Sequence, residues 1–117
     1  MSQKYQIIIQ PAAQKGIEEA YFWLSNESAR KARTWLEGLQ KSILSLETMP
    51  FRCSFAFENN FLEQEVRQLI YGKGRSAYRI IFTILDDTVQ IIFIRHAAQK
   101  PMFDDGDFDN LNEEESG

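Results

Sequence analysis

Arg79 and His96 are the residues of this 117-residue chain whose types suit chemistry on a phosphodiester. A guanidinium stabilises charge that grows on phosphate, and a histidine moves a proton near neutral pH. His96 is the chain's one histidine. The stretch around the pair, VRQLIYGKGRSAYRIIFTILDDTVQIIFIRH from Val66 to His96, also carries Arg67, Lys73, Arg75 and Arg95. Positive charge threaded beside apolar runs invites an anionic partner. The ordinary alternative is that Arg79 pairs with a carboxylate while His96 simply ends a strand. Gly72-Lys73-Gly74-Arg75 is too short to read as a phosphate cradle and serves a turn instead.

Three apolar runs, Val66–Tyr71, Tyr78–Leu85 and Val89–Ile94, must position these groups. Gly and Asp clusters between β-branched and aromatic runs are strand punctuation, so the stretch predicts a three-stranded antiparallel meander. A two-residue turn at Asp86-Asp87 sets Leu85 opposite Thr88. Carried down the hairpin, that register sets Ala77 opposite His96 and Tyr78 opposite Arg95. Arg79 and His96 become diagonal neighbours on one face, roughly 6–8 Å apart and within reach of one phosphodiester. One residue of slip exchanges the faces.

Composition bounds the rest. Hydrophobic residues are 44% and charged ones 26%, as in one soluble globular domain. No apolar run approaches the roughly 20 residues of a membrane helix, and MSQKYQIIIQ lacks the layout of a signal peptide. A single cysteine, Cys53, favours a reducing compartment, so a cytoplasmic protein without membrane association is expected. A histidine with no second histidine or acidic cluster beside it argues against a metal site. No nucleotide-binding or hydrolase motif occurs, and no cofactor is expected. Residues 1–103 hold all 13 Lys and Arg against 10 acids, whereas 104–117 holds seven acids and no base. A folded domain over 1–103 and a disordered acidic tail over 104–117 are expected. The positive body suits nucleic acid, and the tail opposes unselective binding.

The first half predicts a strand at Tyr5–Ile9 and then two helices. Pro11 suits a first helical position, and Ala13, Ile17, Ala20, Tyr21 and Leu24 form one stripe. Ser25-Asn26-Glu27-Ser28 reads as the break, with Asn26 or Ser28 capping the second helix. There Ala29, Ala32, Leu36, Leu39, Ile43 and Leu46 hold a heptad-like seam that ends before Met49-Pro50. Trp23 and Trp35 lie near the seams and are expected to brace the core, not to bind a cofactor. The aromatic Phe51–Phe61 segment reads as a loop over the sheet edge.

The fold class is therefore α+β, with an N-terminal strand, an αα-hairpin and a three-stranded meander completing one sheet. That order, the helical hairpin ending at Met49-Pro50, and the strings V-R-Q-L, Y-R-I-I-F and D-D-T-V-Q-I-I-F-I-R-H resemble the RelE/ParE superfamily of type II toxin–antitoxin toxins. The resemblance covers residues 4–100. It implies a growth-inhibiting toxin, of the kind associated with plasmid stabilisation, neutralised by a cognate antitoxin. RelE-like members cleave mRNA on the ribosome as metal-independent endoribonucleases, and this is the activity expected of the chain, because its positive charge concentrates on the strands and not on the helices. On that pattern Arg79 and His96 are catalytic, and Arg67, Lys73, Arg75 and Arg95 bind RNA. ParE-like members instead poison DNA gyrase and carry no known nuclease site. The Arg95-His96 ending and the long helical hairpin look ParE-like, and no tyrosine follows His96. A non-toxic binding module on the same fold is the third possibility.

Overall fold

Pro11 opens the first helix, α1 (Pro11–Glu27), because its fixed φ suits a position whose N–H would have no helical partner. α1 runs through Ser25 and Asn26, where the polar cluster predicts a break. The Ser25 hydroxyl donates to the Phe22 carbonyl at 2.7 Å, a bond that an uninterrupted helix accommodates. The chain stops being helical only at Ser28, which is extended at φ −164°. Its hydroxyl accepts from the Lys31 N–H at 3.2 Å and so caps the second helix, α2 (Ala29–Leu44). One residue thus separates two antiparallel helices. A 3₁₀ turn over Ser45–Glu47 extends α2, and Met49 takes a left-handed φ of 51° immediately before Pro50. The computed structural model describes residues 4–98; the end of the domain at 103 and the expected acidic tail lie outside the described residues.

The four strands are β1 (Gln6–Ile9), β2 (Arg67–Tyr71), β3 (Tyr78–Leu85) and β4 (Thr88–His96), in the sheet order β1-β4-β3-β2. β1 lies parallel to β4, and the three later strands form the expected antiparallel meander. The architecture is the α+β arrangement that the residue pattern predicts.

Both helices cover one face of the sheet. Ala13, Ile17, Leu39, Ile43 and Leu46 pack there against Ile80, Phe82, Val89, Ile91 and Ile94. Gly16 brings α1 close to β4, since a Cβ at Gly16 would lie 3.0 Å from the Ile94 carbonyl oxygen. The other face has its own small core of Ala56, Val66 and Ile81, joined by Leu62, Ile92 and Phe93. The segment after Met49 pairs with the edge strand β2 at Phe55, opposite Arg67, and from that edge folds as a lid over the second face. β3 is buried from Tyr78 through Thr83, which is why its sequence is a continuous apolar run with little alternation.

The β3–β4 hairpin begins as expected, with Leu85 opposite Thr88 and Asp86 at a left-handed φ of 54°. The register then shifts. Phe82 pairs with Ile91 but Ile81 pairs with Phe93, so Ile92 is an extra residue in β4. Beyond this bulge Tyr78 faces His96 and Arg79 faces Arg95. The predicted pairs, Ala77 with His96 and Tyr78 with Arg95, are off by one residue, and His96 lies on the opposite face from Arg79.

Candidate functional site

Arg79 stands on the central strand β3, on the face away from the helices, and is only 9% exposed. The strand supplies rigidity, and its neighbour β2 supplies the first partner. Gln68 Oε1 accepts from Arg79 Nε at 3.1 Å and from one terminal nitrogen at 3.0 Å. The lid supplies the second. Glu58, 1% exposed, takes both ends of the guanidinium, with Oε1 at 2.6 Å from one terminal nitrogen and Oε2 at 3.1 Å from the other. Four of the five donors of a guanidinium are thus engaged inside the protein.

Electrostatics explain why the carboxylate is there. A buried guanidinium needs a carboxylate at close range, and Glu58 provides it. In the ladder Arg79 pairs with Arg95. Arg67 is similarly occupied. Its side chain stands over the Phe55 ring at 4.3 Å and the Phe51 ring at 5.2 Å. It also donates to the carbonyls of Cys53 at 2.7 Å and Phe51 at 3.3 Å. Both arginines hold the lid to the sheet.

His96 sits around the strand on the helix side. Its ring meets Tyr78 edge-to-face, with centroids 4.9 Å apart and planes at 88°. Nδ1 accepts from the Ala98 N–H at 3.1 Å. Burial pushes the Tyr78 hydroxyl above its ordinary pKa, so it stays protonated at neutral pH. His96, Arg95, Tyr78, Lys15, Glu19 and Trp23 border an open groove of about 710 Å³ between α1 and the end of β4. Lys73 and Arg75 are exposed in the connection from β2 to β3. The structure therefore brings Arg95 and His96 to one groove, and leaves Arg79 and Arg67 on contacts of their own.

Sequence reasoning missed Glu58 and Gln68. Glu58 did leave a trace: it is an isolated acid in the aromatic run Phe55-Ala56-Phe57-Glu58, and a carboxylate folded among aromatic rings needs a buried cation.

A family model described as "ParE toxin of type II toxin-antitoxin system, parDE" matches residues 7–101, a span that includes Glu58, Arg79 and His96. The chain belongs to the ParE toxin family. Eight solved chains also match. One of them, "Chromosomal ParDE TA system from P. aeruginosa", is 13% identical with a TM-score of 0.63, over 80% of this chain and 96% of that one. At that identity the likeness concerns the fold. No curated protein matches. Among the described residues of this ParE family member, no helix is long and apolar enough to cross a membrane.

Proposed function

We propose that this ParE family chain is the toxin of a toxin–antitoxin pair and arrests growth by acting on DNA gyrase, without a nuclease centre of its own. The observation that carries this is the separation of Arg79 from His96. A phosphodiester nuclease built on the pair would need both side chains at one phosphate. Here a bulge turns them to opposite faces, and Glu58 with Gln68 occupies the guanidinium. Membership of the ParE family supports gyrase over the ribosome as target.

The implied partner is an antitoxin. A groove of about 460 Å³ between α1 and α2, with Ile9, Ile17, Tyr21, Phe22 and Leu36 on its walls, offers an apolar seat for part of it. Phe22 is 69% exposed there, the kind of surface a partner covers. Expression of the chain alone in a bacterium should stop growth and break chromosomal DNA, and co-expression of the neighbouring gene should restore growth. Growth arrest with intact DNA and cleaved messages would overturn the gyrase assignment. Normal growth at good expression would remove the toxin assignment itself.

A further inference from the structure

A second cationic feature lies apart from Arg79 and His96, where α2 begins. Ser28, Arg30, Lys31, Thr34, Trp35 and Tyr71 line an open cleft of about 540 Å³. Every one of these residues carries a hydroxyl, ammonium, guanidinium or indole N–H, and none is a carboxylate. Arg30, Lys31 and Thr34 are exposed. Neither Arg30 nor Lys31 forms an ion pair among the described residues. The buried Trp35 indole N–H has no acceptor among the described residues either. Tyr71 ends β2 at the rim, and the connection that follows carries the exposed Lys73 and Arg75. The acid nearest in sequence is Glu27, at the end of α1.

A cleft made of donors and flanked by cations takes an anion, and several such groups spaced along a surface take a polyanion. The aromatic residues decide which kind. A single-stranded nucleic acid is held by rings that present their faces to unstacked bases. Trp35 instead packs edge-to-face on Tyr78 at 5.1 Å. The Tyr71 ring presses on Gly38, and its hydroxyl donates to the Trp35 carbonyl at 2.8 Å. Neither ring is laid out as a stacking platform, so what remains for a ligand is phosphate.

We propose that the cleft at the start of α2, with Lys73 and Arg75 beside it, is a docking surface for the phosphate backbone of duplex DNA. This deepens the gyrase assignment and rests on it, because an inhibitor of gyrase works beside the DNA that the enzyme holds. Contacts of this type position a protein on the duplex without reading sequence.

The test is fluorescence anisotropy of the purified full-length chain with a labelled 20-base-pair duplex over a series of salt concentrations, with no gyrase present. The native chain should bind with a marked salt dependence. Arg30→Ala/Lys31→Ala should weaken binding about tenfold near 0.1 M salt and flatten the log–log salt slope by about 2, roughly one for each cation taken off the phosphates. Lys41→Ala, in the last turn of α2, should leave both quantities unchanged. Arg30 and Lys31 are exposed, so circular dichroism should report an intact fold in the double variant. Unchanged affinity and slope in Arg30→Ala/Lys31→Ala would overturn the proposal. So would tighter binding of a single-stranded RNA of equal length. A native chain that traps gyrase but does not bind the duplex would defeat this docking surface alone. A native chain that binds the duplex but does not trap gyrase would defeat the proposed target alone.

Discussion

Arg79 and Glu58 meet in a two-point ion pair under the lid, at 2.6 Å and 3.1 Å, with Glu58 1% exposed and Arg79 9% exposed. The pair joins the central strand to the 3₁₀ turn Phe57–Phe61, so a guanidinium of a type suited to catalysis holds the fold together instead. Removing one member strands the other in a dry environment, which costs about 3–5 kcal/mol. Glu58→Ala and Arg79→Ala should each lower stability by that order in urea unfolding. Replacing both by apolar residues, as in Glu58→Leu/Arg79→Met, should cost much less than the two single losses added together. Additive losses in the double variant would contradict the pairing.

A glycine in the middle of a helix is normally worse than alanine by about 1 kcal/mol. At Gly38 the order should reverse. A Cβ there would lie within van der Waals overlap of the Tyr71 hydroxyl, which is held by its bond to the Trp35 carbonyl. Gly38→Ala should therefore destabilise by about 1–3 kcal/mol, as overpacking does. Adding Tyr71→Phe, which removes the obstructing oxygen, should return part of that loss. Thermal unfolding of the two variants checks both signs, and a stabilising Gly38→Ala would show that Tyr71 does not rest on α2.

Burial raises the hydroxyl pKa of Tyr71 and of Tyr78 above the ordinary 10.0. The folded protein then keeps protons that the unfolded chain has already released. The stability they contribute is intact below about pH 10 and is lost as pH rises through the higher folded values. Urea midpoints near about pH 9 and about pH 11 should differ more in the native protein than in Tyr78→Phe. Equal pH dependence in the two proteins would mean that Tyr78 titrates as a solvated phenol.

Much of this architecture could be read from residue types. Pro11, the Ser28 cap and the seam of Ala32, Leu39 and Ile43 define the helical hairpin, and Asp86-Asp87 defines the turn at its expected place. What could not be read is the register beyond that turn. Ile91-Ile92-Phe93-Ile94 has no polar–apolar alternation, so nothing in it pins one residue to one face, and β3 opposite is apolar on both sides. A bulge at Ile92 costs this pattern nothing visible. It also puts Ile91 and Ile94 on the helix face together. The candidate pair Arg79 and His96 depended on that register. Glu58 was hidden for another reason: its partner is distant in the chain and its own segment has no period. The turn that carries Lys73 and Arg75 was legible from Gly72 and Gly74, both of which take a positive φ.

Gyrase and the ribosome can be compared directly with one purified preparation, in its native form and as His96→Gln. With gyrase and supercoiled plasmid, both proteins should yield trapped, linearised DNA to the same extent. With translating ribosomes, neither should cleave the message in the A site. Such an outcome is what a ParE family toxin with its arginine sealed by Glu58 predicts. Ribosome-dependent cleavage by the native protein that falls by roughly 10²–10⁴ in His96→Gln, as loss of a general acid–base group does, would contradict it.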